Sequence, residues 1–167
     1  MQRCIARLKE IFSERPICAR RTITNKYIER WGRGNPSVEV DNWEPIFRFC
    51  FPYVCYLFRS GPFRDMYVVY GLDPRKDKKW AGYQSVFFNF RKTRGEDRIK
   101  EENEKMTQSH LFTGKEVNTK VVCYCLCDIV DPMLRKIIDG SPLREEFHVI
   151  LAGFYVINAG IRWMVSY

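Results

Sequence analysis

"YGLDPRKDKKWAGYQ", residues 70–84, separates two apolar runs. Met66-Tyr67-Val68-Val69-Tyr70 leads into it, and Val86-Phe87-Phe88-Asn89-Phe90 follows it. Tyr, Val and Phe are the residues strands prefer, so the flanks predict strands over about 64–72 and 83–91. Asp73-Pro74 is a turn initiator. The stretch therefore reads as the tip of a hairpin, and Arg75, Lys76, Lys78 and Lys79 sit on it. Asp73 and Asp77 offset part of that charge, which points to a shaped turn rather than a basic tail.

Upstream the pattern is helical. Ile5, Leu8, Ile11 and Phe12 form one stripe over residues 2–14, and Pro16 stops it. A second helix is predicted over about 18–31, with Ile23, Tyr27, Ile28 and Trp31 inward. Gly32-Arg33-Gly34-Asn35-Pro36 is loop chemistry. A third helix starts near Asp41 or Asn42, with Glu44 as a capping-box partner and Pro45 in the first turn. Its apolar positions run from Trp43 through Ile46, Phe47, Cys50, Phe51 and Val54 to Leu57 and Phe58, close to a 3.6 period. Pro52 should kink or split it, because its ring clashes with the carbonyl of Arg48.

Three helices and then a two-stranded hairpin is the order of a winged helix, a helix-turn-helix variant whose third helix is placed to enter a major groove. The expected fold class is α+β: a winged helix over residues 1–95 and a C-terminal α/β extension over 119–167 packed on it. The stretch between, 96–118, is nearly free of apolar residues at its start and reads as a solvated linker. In the extension a strand is expected over Val121–Val130 and a short helix from Asp131-Pro132 to Ile138. Gly140-Ser141-Pro142 turns the chain. The last 25 or so residues fit strand or helix.

Charge agrees with a polyanion partner. The 167-residue chain carries a net +8. Residues 1–100 hold 21 Lys/Arg against 11 Asp/Glu, whereas residues 101–167 hold 7 against 9. Such asymmetry points to nucleic acid before an anionic membrane. The candidate DNA-binding residues are Arg20, Arg21 and Lys26 on the second helix, Arg48 and Arg59 on the third, and Arg64, Arg91 and Lys92 at the base of the wing. Arg75, Lys76, Lys78 and Lys79 form its tip. Arg48 and Arg59 are the candidates for groove contact; the others are phosphate anchors, which position without specifying sequence.

Other classes fit poorly. The seven cysteines are odd in number and several lie inside apolar runs, as in Phe49-Cys50-Phe51, which suits reduced, buried thiols in a cytosol or nucleus. No secretory signal pattern is read, and no apolar stretch reaches about 18 residues. Cys123, Cys125 and Cys127 would share one face of a strand. They lack the Cys-x2-4-Cys pairing usual for zinc, so no metal is expected. No phosphate loop, paired acid motif or nucleotide fingerprint appears, so neither an enzyme nor a cofactor or small-molecule substrate is expected.

Two blocks resemble a known family. "LKEIFSERPICARRTITNK" (8–26) and "PYVCYLFRSGPFRDMYVVYGLDPRKD" (52–77) are similar to the fifth, tau-95-like subunit of general transcription factor IIIC. Phe12, Glu14-Arg15-Pro16 and Arg20-Arg21 carry the first block. Pro52-Tyr53, Ser60-Gly61-Pro62, Arg64 and Gly71-Leu72-Asp73-Pro74-Arg75-Lys76-Asp77 carry the second, with Tyr83-Gln84 just after. His110-Leu111-Phe112-Thr113-Gly114 and Cys127-Asp128-Ile129 resemble a shorter third. The resemblance implies a nuclear protein that contributes to binding of the internal A-box promoter element of transfer-RNA genes, for RNA polymerase III. Its implied partners are double-stranded DNA and the other subunits of the factor. On this reading the chain is the DNA-binding domain of a longer protein. The competing expectation is an interaction module in the same assembly, because Phe47, Phe49, Phe51 and Tyr53 leave the third helix little polar face.

Overall fold

The computed structural model describes residues 1–32, 43–88, 110–114, 121–148 and 153–155. The fold is α+β. Helix α1 (Gln2–Glu14) turns Leu8, Ile11 and Phe12 inward, as its stripe predicts, with Cys4 buried in place of Ile5, which is half-buried at the edge of the core. Pro16 ends it, and three residues that no periodicity marks, Ile17–Ala19, form strand β1. Helix α2 (Arg20–Trp31) follows at once, with Thr22, Ile23 and Tyr27 buried.

Helix α3 is shorter than the sequence pattern allows. It spans Trp43–Cys50, and a single 3-10 turn, Phe51–Tyr53, follows. Pro52 has no N–H to continue the ladder. The next residues become strand β2 (Cys55–Leu57) instead of more helix. These residues, Tyr56 among them, find a partner in β3 (Met66–Val69), which decides the competition.

The expected hairpin between the two apolar runs does not form. Strand β3 pairs antiparallel with β1 on one side and β2 on the other, in the order β1-β3-β2. The second run is β4 (Ser85–Phe88), which pairs with β5 (Val122–Cys125) in a different sheet. The reason is burial on both faces. Tyr67 and Val69 pack against the helical core of Leu8, Ile11, Ile23, Phe47 and Cys55. Met66 and Val68 point the other way, into a cluster with Ile17, Ala19, Phe63 and Cys125. A strand sandwiched between two cores reads as continuous hydrophobic sequence, just as a wing strand with a solvated face would not.

Residues 70–84 thus bridge two sheets. Pro74–Lys76 and Lys78–Tyr83 are consecutive 3-10 turns, and Trp80 and Tyr83 pack back onto the cluster beneath β3. The true β-hairpin is β2–β3. Its connection, 58–65, turns on Gly61 (φ 76°) and Asp65 (φ 62°), and Asp is among the few side chains that tolerate this left-handed region.

The second half is built on β4–β5. A 3-10 turn (Leu126–Asp128) ends β5 earlier than the sequence suggests. Helix α4 (Pro132–Asp139) begins at Asp131, whose carboxylate accepts from the Leu134 N–H at 2.9 Å. Strands β6 (Leu143–His148) and β7 (Gly153–Tyr155) pair antiparallel. The stretch expected as a solvated linker contains a core residue. Phe112 is buried, stacks on Phe88 at 4.3 Å and donates its N–H to Asp128 O at 2.8 Å. Residues 89–109 and 115–120 lie outside the described part.

Gly153 tests this packing. Its φ is +62°, and a Cβ there would lie 2.4 Å from Gln84 Oε1. That buried oxygen accepts from the Phe154 N–H at 2.8 Å. Gly153→Ala is expected to cost about 2 kcal/mol through strain and loss of that bond. An unchanged urea midpoint would show that β7 does not depend on the contact.

Candidate nucleic-acid interface

Helices α2 and α3 bring two candidate cations, Arg20 and Arg48, to one cleft. The buried positions Phe47 and Cys50 leave Ile46, Arg48 and Phe49 outside on α3. Arg20 opens α2 directly after β1. Arg20, Pro45, Arg48 and Phe49 line an open cleft of about 410 Å³. Arg20 also hydrogen-bonds the Tyr67 phenol of β3; burial pushes that phenol up, with Arg20 acting against it. Arg48 is exposed and makes no ion pair among the described residues. Phe49, 62 % exposed, stands beside these two guanidinium groups.

The β2–β3 connection carries Arg59 and Arg64, both exposed. Arg64 lies over the Phe87 ring at 4.7 Å and 3.7 Å from Asp65. The cations of 70–84 lie on a shaped turn, as Asp73 and Asp77 suggest, and three of the four are paired with carboxylates. Asp73 accepts from the Arg75 N–H at 3.1 Å and holds its guanidinium by two bonds of 2.9 and 2.8 Å. Asp77 accepts from the Lys79 N–H at 2.9 Å and pairs with its ammonium at 2.9 Å. Lys78 pairs with Glu145 of β6 at 2.8 Å. The Arg75 and Lys79 hydrogen bonds hold the Asp73 and Asp77 carboxyls below their usual range, so both stay ionised at neutral pH. Of the four cations, Lys76 makes no ion pair among the described residues.

These Asp residues are the caps that shape the two turns. The Asp-Pro-Arg-Lys-Asp pattern is thus explained by backbone geometry. Exposed, solvent-screened pairs of this kind contribute little, so they exchange readily for another anion. Arg75 also lies over the Phe58 ring at 5.5 Å, which brings this loop to the base of the β2–β3 connection. Lys26 lies 3.9 Å from Glu14, and Arg21 donates to the Tyr124 hydroxyl at 2.9 Å. Arg91 and Lys92 lie outside the described residues.

The described part of the C-terminal extension does not cover α3. It docks on the end of α1 and the start of α2. Arg15 forms a fork onto Asp128, with both Nη atoms 2.7 Å from its oxygens. Thr22 donates to the same carboxylate at 3.2 Å. Asp128 is 2 % exposed, and Arg15 further contacts Cys127 Sγ at 3.2 Å and the Tyr83 ring at 5.5 Å. Two short blocks, with contacts 106 to 113 residues apart in sequence, meet here. Nothing local in either block marks this pairing.

Cys125, Cys127 and Asp128 bring their donor atoms within 4.8 Å of one another. Both Asp128 oxygens face the Arg15 guanidinium, so a cation at that point meets a fixed positive charge. The expected row of three thiols on one strand face is also broken, because β5 ends at Cys125 and Cys127 lies in the following turn. Among the described residues, no helix is long and apolar enough to cross a membrane.

Comparison with known proteins agrees with the resemblance in the sequence. Residues 1–89 match the family Tau95, described as the RNA polymerase III transcription factor (TF)IIIC subunit HTH domain. The chain is 36 % identical over 148 residues to transcription factor tau subunit sfc1 of Schizosaccharomyces pombe, covering 89 % of this chain and 28 % of that protein. It is 25 % identical over 88 residues to the transcription factor tau 95 kDa subunit of Saccharomyces cerevisiae, covering 53 % of this chain and 12 % of that protein. The solved structure named Sfc1-DBD superposes with a TM-score of 0.69 at 34 % identity, over 93 % of this chain and 66 % of that one. The chain therefore spans well under a third of the length of these two curated relatives.

Proposed function

The chain belongs to the Tau95 family of RNA polymerase III transcription factor (TF)IIIC subunits, and from that premise we propose that it is a nuclear DNA-binding domain of such a factor. Its fold is then a winged helix with the order α1-β1-α2-α3-β2-β3. The wing is the β2–β3 hairpin, one strand earlier than residues 70–84. Helix α3 and the Arg20–Arg48 cleft face the duplex. Arg59 and Arg64 follow the backbone from the wing, and Lys76 extends the cationic surface. Contacts are mostly to phosphate, and the domain contributes to A-box binding at transfer-RNA genes within the full factor, together with its other subunits.

The observation that carries this reading is the cleft itself: two arginines from separate helices converge on a face that the described extension leaves open. Backbone recognition releases counterions, with a log–log salt slope of about −0.9 per phosphate. Four or five contacts predict a slope of roughly −4. Fluorescence anisotropy with A-box and shuffled duplexes measures both slope and preference. No measurable binding at low salt would overturn the proposal; equal affinity for the two duplexes would leave the domain as an anchor and assign sequence choice to the assembly.

A second reading draws on Ile46, Phe49 and Tyr53, which are all exposed. Such an apolar face suits protein docking in the same assembly, with little direct contact to DNA.

A further inference from the structure

All seven cysteines are free, and Cys127 alone among them is exposed. Cys4, Cys18, Cys50, Cys55 and Cys125 are buried, and Cys123 is half-buried. Cys127 lies in the turn that ends β5, and two neighbours are arranged around its sulfur. The Arg15 guanidinium donates to Cys127 Sγ at 3.2 Å. That guanidinium is itself fixed by its fork onto Asp128, so its position does not depend on the thiol. On the other side lies Cys125, whose sulfur is within 4.8 Å of the Cys127 sulfur and 3.3 Å from Met66 Sδ.

A thiol that receives a hydrogen bond from a cation is stabilised as its anion, and the thiolate is the nucleophile. We infer that Cys127 is a peroxide-reactive thiolate and that Cys125 is its resolving partner, so that this pair is a site of oxidative modification next to the Arg15–Asp128 bridge. The electrostatics agree. The hydrogen bond from Cys125 and the charge of Arg15 hold Cys127 below the ordinary thiol value against the opposing effect of burial. The hydrogen bond to Cys127 and burial push Cys125 well up, so it is the protonated member. Asp128 opposes the thiolate; Tyr83, Tyr155 and Cys18 are further titratable groups near it, and His110 faces the same Asp128 and Arg15.

The chemistry balances with hydrogen peroxide as oxidant. The Cys127 thiolate attacks one peroxide oxygen; an S–O bond forms, the O–O bond breaks, and the departing hydroxide takes a proton to become water. The sulfur is oxidised by two electrons to a sulfenic acid. Cys125 then attacks that sulfur; the S–S bond forms, the S–O bond breaks, and the Cys125 proton leaves with the hydroxyl as a second water. The sulfurs lie within 4.8 Å of one another, so buried Cys125 need not reach solvent. A Cys-x-Cys ring is short and strained, which makes the disulfide readily reducible.

Three forms of the chain test this with near-stoichiometric hydrogen peroxide and peptide mass analysis. The wild type should lose two hydrogens, about 2 Da, as a Cys125–Cys127 disulfide. Cys125→Ser should stop at a sulfenic acid on Cys127 that dimedone traps, and Cys127→Ser should give neither product. The wild type alone provides a check that needs no variant. At pH 7 Cys127 should be alkylated by iodoacetamide at least about tenfold faster than any other cysteine, with a pH midpoint below the ordinary thiol value of about 8.5. A first product on another cysteine, or an ordinary pH profile at Cys127, would overturn the assignment.

Discussion

Asp128→Asn unfolds at lower urea concentration than the wild type, with a loss of about 3–5 kcal/mol, the range for breaking a buried ion pair on one side. The carboxylate is almost wholly buried and meets the Arg15 fork through both oxygens. An amide keeps the shape and one acceptor, but it turns its NH2 group toward the guanidinium. Arg15 is then left positive, largely enclosed and unpaired. Arg15→Lys should be damaging as well, because an ammonium cannot reproduce two parallel bonds. The control is Arg15→Met combined with Asp128→Leu. Replacing both partners by apolar groups removes the stranded charge, so this double variant should recover much of the loss. A single-variant loss below about 1 kcal/mol would show that the pair is a solvated contact rather than the link between the two halves.

The second large effect concerns binding. Arg20→Ala with Arg48→Ala should weaken duplex affinity by on the order of 100-fold, taking about 1.5 kcal/mol for each charge-assisted contact. The salt slope should fall by about two, one for each phosphate contact. Lys78→Ala with Lys79→Ala should do less. Those ammonium groups already face Glu145 and Asp77, so part of what they give to phosphate is withdrawn from an existing pair. The order of the two double variants discriminates between sites. If the lysine pair proves the more damaging, the anchoring surface is the loop at 70–84, as its sequence suggests, and the helical cleft is secondary. The lysine variant should unfold near the wild-type midpoint, since both residues are exposed, whereas Arg20 is half-buried and bonds Tyr67, so Arg48→Ala alone is the stability-neutral control for the cleft.

These expectations differ from the sequence reading because charge and contact partners are non-local. The first helix was legible to the residue, because its buried stripe repeats within one element. The second and fourth helices were legible for the same reason, within a residue or two at their ends. The third misled. Ile46 to Phe58 keeps a helical period by coincidence, and only the availability of β3 as a partner turns its second half into a strand. The β3 and β4 runs were recognisable as strands, but adjacency in sequence pointed to the wrong pairing. The candidate cations were all visible, and Asp73 and Asp77 were legible as neighbours that offset them, while Glu145, which holds Lys78 from far along the chain, was not.

By itself the sequence determined the helical faces, the positions of the breakers, the basic excess of the first hundred residues and the kinship with a transcription factor subunit. Each of these is a property of neighbouring residues or of composition. Tertiary structure alone decided that β3 lies between two cores, that the hairpin is β2–β3, that Arg20 and Arg48 share a cleft and that Arg15 closes on Asp128. The physical reason is distance along the chain. A turn or a helix repeat is dictated by residues three or four apart, whereas strand partners and buried ion pairs are selected by which distant surfaces can be desolvated together.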